Sequence, residues 1–124
     1  MNDDEQNPLR IRTKAFALEA IRLFVRLPKT EESKILGRQM VRAATSVGAH
    51  YREACRARSR AEFISKLEVG NQELDETSYW LELIRDAPVS QDSAIKSLLA
   101  EASELMAMQT SSIKTTKRAR GDQE

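Results

Sequence analysis

From Phe63 to Ile84 the chain places Phe63, Leu67, Gly70, Leu74, Thr77, Leu81 and Ile84 at alternating steps of four and three. A helix turns once in about 3.6 residues, so these positions fall on one side of it, whereas a half-buried strand would need steps of two. The pattern predicts a long helix with one apolar seam, suited to a neighbour crossing at a shallow angle. Such a seam needs partner helices to cover it.

The rest of the chain supplies them. Pro8, Pro28, a polar junction at Arg58 and Ser59, and Pro88 divide it into four segments. The first, near 11 to 27, carries Phe16, Ala20, Leu23 and Leu27, with Ala17, Ile21 and Phe24 beside them, and Pro28 stops it. The second, near 31 to 57, has Thr30 as N-cap and Glu31 and Glu32 in a first turn where the helix dipole favours acids. Its seam is Leu36, Met40, Ala43, Val47, His50 and Ala54. The third opens on the capping box Ser59-Arg60-Ala61-Glu62 and ends at Ala87 and Pro88. The fourth begins after Ser90 and runs through Ile95, Leu98, Leu99, Ala102, Leu105, Met106 and Ile113.

Four amphipathic segments joined by short connections bury their seams together as an all-α, antiparallel up-down-up-down four-helix bundle. Four glycines and three prolines in 124 residues are too few for the turns of a β-sandwich or barrel, and no fixed-period repeat suggests a solenoid. The expected organisation is a flexible segment 1–10, a bundle over 11–116 and a flexible tail 117–124. With 40% hydrophobic and 31% charged residues, the chain can bury one modest core. The lone Cys55 excludes an internal disulfide framework. Without a charged-then-apolar leader or an apolar run near 18 residues, the expectation is a soluble, cytoplasmic protein without a membrane partner.

A formal net charge of +1 hides strong segregation. Residues 10 to 60 hold 13 Lys/Arg against four Asp/Glu, and residues 61 to 104 hold three against ten. On the second helix Lys34, Arg38, Arg42, Arg52 and Arg56 fall within about 160° to 240° of Leu36, opposite the core. Thr45 and Ala49 lie between them, small enough for an extended polyanion to approach. Arg58, Arg60 and Lys66 continue the charge past the junction, and Lys114, Lys117, Arg118 and Arg120 add to it near the C-terminus. Several cations on one face can release counterions from a nucleic acid without reading its bases. The competing reading is a solvated helix face or pairing with nearby acids.

The third helix is complementary. Glu68, Asp75, Glu82 and Asp86 form an acidic stripe within about 100° to 140° of Phe63. Both stripes lie well away from their seams, so contact between subunits is a second use for them. Val69, Tyr79 and Leu83 sit opposite the third seam, with Trp80 on its shoulder, and Gly37, Ala44 and Gly48 line a flank of the second helix where another backbone can come close. These seven residues are the candidate oligomer interface.

Catalysis finds little support. His50 lies on a core seam, and Cys55, although beside Arg52, Arg56 and Arg58, has no histidine on its own face to activate it. The carboxylates do not form the Glu plus Glu-x-x-His pattern of di-iron bundles, no Cys/His metal spacing occurs, and neither a P-loop nor GxGxxG is present. No enzyme activity, cofactor or metal is expected.

The stretch Thr45-Ser46-Val47-Gly48-Ala49-His50-Tyr51-Arg52-Glu53-Ala54 is followed by Ser59, Glu62-Phe63-Ile64, Lys66-Leu67, Glu73 to Glu76 and Tyr79-Trp80-Leu81-Glu82-Leu83. Together these blocks resemble the bacterial four-helix bundle family whose reading frames lie in intervening sequences of 23S ribosomal RNA genes, over roughly Lys14 to Lys117. The resemblance implies a homopentamer with no known enzymatic activity and no cofactor. A looser similarity is to the accessory variability proteins of diversity-generating retroelements, basic pentameric bundles that partner a reverse transcriptase and bind nucleic acid. His50 stands where the family commonly has asparagine, which would make an interface sensitive to pH, and Gly70-Asn71 interrupts a stretch usually built of better helix formers. The reading is a homo-oligomeric, non-catalytic bundle binding RNA, or a nucleic-acid-processing protein, through repeated basic faces. The alternative is a structural adaptor whose stripes pair between subunits.

Overall fold

A computed structural model describes residues 6–121 and contains four helices: α1 (Pro8–Arg26), α2 (Glu31–Cys55), α3 (Arg60–Asp86) and α4 (Ala94–Arg120). Each start has a local cause. The Asn7 side chain accepts from the Leu9 and Arg10 amides at 3.0 and 3.3 Å, and Pro8 takes the first helical position, where no amide is missed. Thr30 accepts from the Ser33 amide at 3.3 Å and Ser59 from the Glu62 amide at 3.0 Å. The return half of the capping box is displaced, because the Glu62 carboxylate accepts from the amide of Arg58 at 3.4 Å rather than from that of Ser59. At α4 the cap is Asp92, whose carboxylate accepts from the Ala94 amide at 2.9 Å.

Two boundaries differ from the expected ones. The expected flexible segment 1–10 includes Pro8, Leu9 and Arg10, which are helical, and Leu9 is buried. The expected tail 117–124 includes 117–120, which complete α4 before Gly121 ends it in the left-handed region at φ 89°. The remainder of both expectations, at 1–5 and 122–124, lies outside the described residues.

Each helix packs on its neighbours in sequence and α1 closes against α4, while the diagonal pairs α1 with α3 and α2 with α4 stay apart. This is the square of an up-down-up-down bundle. At its centre lie Phe16, Leu23, Met40, Val47, Leu67, Leu74, Leu81, Ile84, Leu98 and Leu105, all buried. The α3 seam is buried from Leu67 to Ile84, but its first slot is filled by Ile64, leaving Phe63 half-buried. On α2 the buried side turns towards Gly37, Ala44 and Tyr51, so His50 is half-buried and the Tyr51 hydroxyl donates to Asn7 Oδ1 at 2.9 Å.

The small residues of α2 are used inside the chain, which corrects their assignment to an oligomer interface. A Cβ on Gly37 would stand 2.6 Å from the Phe24 ring and 2.9 Å from Leu27, and one on Gly48 would stand 3.2 Å from Thr13 Oγ1. Ala44 is fully buried. The backbone that approaches this flank is α1 of the same protein.

One core position is polar. Gln109 is fully buried beside Gly70, donating to Asn71 Oδ1 at 2.8 Å, and Asn71 in turn donates to Thr110 Oγ1 at 3.2 Å. The Gln109 Oε1 accepts no hydrogen bond among the described residues. An unmet buried acceptor costs about 1–3 kcal/mol, comparable to or larger than the roughly 1 kcal/mol net gain of the amide bond to Asn71. Gln109→Met, which keeps the shape, is therefore expected to raise the unfolding free energy by about 1 kcal/mol in urea titrations.

Ion pairs fix the α1–α4 edge. Arg12 grips Glu101 in a bidentate pair and reaches Glu104 at 2.7 Å, and these hydrogen bonds hold its guanidinium above the usual range. Arg26 binds Asp92 through two bonds of 2.7 and 3.1 Å. That guanidinium first, and then the Ala94 amide, hold the Asp92 carboxyl below its ordinary 3.8. A depressed carboxylate stabilises the fold above its unfolded pKa, and that stabilisation is lost as pH falls through the folded value. Thermal melts of the wild type and Asp92→Asn should differ most near neutral pH, and the gap should close as the pH falls below the ordinary 3.8 and the folded carboxyl takes up its proton.

Candidate nucleic-acid interface

The basic stripe of α2 is fully turned to solvent. Arg38, Arg42, Arg52 and Arg56 are all exposed, and among the described residues none of them enters an ion pair or a side-chain hydrogen bond. At about 1.5 Å per residue, Arg38 and Arg56 are roughly 27 Å apart along the helix. Between them Ala49 is exposed and the Thr45 hydroxyl donates back to the Val41 carbonyl at 2.9 Å, so the middle of the stripe stays low. The expected alternative, pairing with nearby acids, does not occur among the described residues.

The end of the bundle where α2 stops and α3 starts gathers the other candidates. Arg58 is 92% exposed and lies 3.7 Å from Glu62. Arg60 donates to the Ala119 carbonyl at 3.1 Å, so it caps α4 and joins the α2–α3 turn to the last α4 turn. That turn carries Lys117, Arg118 and Arg120, where cations favour the negative end of the helix dipole. Arg118 and Arg120 are exposed and Lys117 is half-buried. A shallow groove lined by Cys55, Arg58, Arg60, Phe63 and Thr116 runs between the two elements. Lys114 stands apart from it, exposed on the outer side of α4 along a groove with Met106, Thr110 and Arg118.

The acidic stripe of α3 is neutralised only at its C-terminal end. Glu68, Asp75 and Glu82 are exposed and form no ion pair among the described residues, whereas Asp86 is held by Arg85 at 2.7 Å. Of the apolar candidates on this helix, Tyr79 is exposed and Val69, Trp80 and Leu83 are half-buried. The Trp80 ring packs on the core, donates to Glu76 at 3.2 Å and meets the Tyr79 ring edge-on at 5.2 Å.

His50 lies between α2 and α3 of its own chain, 3.4 Å from Glu53 and 3.9 Å from Glu73. Lys66 bonds Glu53 at 3.0 Å and, with a smaller contribution from His50, holds that carboxyl below its usual range. An interface role for His50 is thus not supported by its place in the fold. Among the described residues no group of three His, Cys, Asp or Glu could hold a metal ion, and no helix is long and apolar enough to cross a membrane. One surface feature falls outside the core seams: Ile11, Leu18 and Val25 on the outward side of α1, which the periodicity of the core face does not mark.

Comparison with known proteins adds two findings. The family model described as 23S rRNA-intervening sequence protein matches residues 7–111. A crystal structure of a protein of unknown function from the S23 ribosomal protein family of Bacteroides thetaiotaomicron superposes with a TM-score of 0.81 at 32% identity, covering 87% of this chain and 96% of that one. No curated protein matches the chain. Neither finding names the retroelement accessory proteins.

Proposed function

We propose that this chain, which belongs to the 23S rRNA-intervening sequence protein family, is a non-catalytic homo-oligomer that binds structured RNA through basic faces repeated around the assembly. The observation that carries this reading is the row Arg38, Arg42, Arg52 and Arg56, exposed along about 27 Å of helix and in no ion pair among the described residues. One such row makes only a few phosphate contacts. Repetition on several subunits multiplies them, because each further contact is made at the high effective concentration set by the first. By the family resemblance the assembly is a homopentamer, and the compartment is the cytoplasm, where ribosomal RNA is found.

The basic end formed by Arg58, Arg60, Lys117, Arg118 and Arg120 extends the same surface. The partner class fits the chemistry, since a row of exposed arginines on a helix face contacts a phosphate backbone and does not read a sequence. A structural adaptor is the second reading, favoured by the equally unpaired acids Glu68, Asp75 and Glu82. The test is a titration of a labelled structured RNA by fluorescence anisotropy at 50 and 200 mM salt. Affinity that falls steeply with salt and is indifferent to sequence supports RNA binding, and no binding at 50 mM removes it.

A further inference from the structure

The outward side of α1 is apolar. Ile11, Leu18 and Val25 recur at heptad spacing, with Ile21 beside them, and Ile11 and Val25 are 53% and 64% exposed. They lie opposite the buried Phe16, Ala20 and Leu23, so α1 has two apolar faces where a surface helix needs only one. Ile11, Ala15 and Leu18 form the floor of a groove whose rim is Arg10, Lys14 and Arg52. The floor would take an apolar side chain and the rim would take carboxylates.

The same molecule carries the matching ridge. On the outward side of α3, Tyr79 is 55% exposed and is bordered by Asp75, Glu76 and Glu82. Asp75 and Glu82 enter no ion pair among the described residues, and Lys14 and Arg52 enter none either. The ridge and the groove stand on helices that do not touch within the bundle, at diagonal corners of the square, and therefore face away from each other.

We infer that the basic apolar groove of α1 receives the acidic, tyrosine-bearing face of α3 from a second copy of this chain. Pairing α1 with α1 would set Arg10, Lys14 and Arg22 against their own copies, and pairing α3 with α3 would set Asp75 and Glu82 against theirs, so like charges disfavour both symmetric arrangements. The α1-to-α3 contact joins unlike surfaces and leaves one free groove and one free ridge on every pair. It repeats head to tail, closing into a ring where the rotation between copies divides a full turn. This inference rests on the self-association proposed above and specifies its surface. It also divides the arginines: Arg52 belongs to the contact between copies, while Arg38, Arg42 and Arg56 stay free for RNA.

Two variants test it by light scattering after size exclusion, with helix content checked by circular dichroism. Ile11→Ser/Leu18→Ser removes the groove and keeps the ridge, and Tyr79→Ser/Glu82→Lys does the reverse. Each alone should run at the 14.0 kDa chain mass, and an equimolar mixture should form a particle of twice that mass, because one intact groove meets one intact ridge. Self-association of the ridge variant alone would show α1 pairing with itself, and wild-type assembly by both variants would place the contact elsewhere; either overturns the inference and leaves self-association standing. A monomeric wild type overturns both.

Discussion

Replacing Arg38, Arg42 and Arg56 together with glutamine should weaken binding to every structured RNA alike, by at least about a hundredfold at 50 mM salt. Each lost phosphate contact removes roughly 0.7 to 0.9 from the slope of log affinity against log salt, so the variant's salt dependence flattens as its affinity falls. Arg52 is kept in this variant because it rims the α1 groove, and its loss would mix assembly with RNA binding. The three side chains are exposed and unpaired, so stability should change by no more than about 0.5 kcal/mol each. An unchanged slope would take the α2 stripe out of the account even if the protein binds RNA by another surface.

Leu74→Ala should be among the costliest single truncations in the fold. Leu74 is fully buried in the centre of the α3 seam, and truncating a buried leucine costs about 2–5 kcal/mol through lost transfer energy and the cavity left behind. At fixed protomer concentration the melting midpoint should fall by roughly 10 °C or more. Ile35→Ala is the matched control, since Ile35 is 52% exposed and its loss should shift the midpoint little. A small effect at Leu74 would mean that the seam does not hold the bundle together.

That seam was readable because its period is regular and its members from Leu67 to Ile84 are buried as the spacing requires. The Thr30 and Ser59 caps and the solvent exposure of the arginine stripe were readable for the same reason, each being a local rule with a fixed offset. Helix α1 starts at Pro8 and not near 11, because a proline that breaks a helix interior is favoured at the first helical position, where Asn7 caps it and no amide is missed. Helix α4 runs past its expected end at 116, because the apolar pattern stops at Ile113 while the last two turns are polar and basic residues near the C-terminal dipole.

Gly37, Ala44 and Gly48 show a deeper limit. A small-residue flank states that some backbone comes close, but not whether that backbone belongs to the same chain; here Phe24 and Thr13 of α1 occupy the space. The buried amide of Gln109 carried no sequence signal, since a glutamine among apolar positions looks like one that reaches solvent. The second apolar face of α1 is present in the spacing of Ile11, Leu18 and Val25, but a monomer's core needs only one face, so spacing alone does not mark the residues opposite it. The charge rows were legible as rows, and only the packing of the bundle revealed that Arg38, Arg42, Arg52 and Arg56 in one, and Glu68, Asp75 and Glu82 in the other, form no ion pair among the described residues.

The most direct test of the central claim is light scattering coupled to size exclusion, run at 50 and 200 mM salt with and without a structured RNA. The account predicts a particle of about five times the 14.0 kDa chain mass that gains RNA at 50 mM and releases it at 200 mM, with the protein assembly intact at both. A particle that ignores RNA at 50 mM and falls to monomers as salt rises would contradict it, and would assign both charged stripes to contacts between subunits.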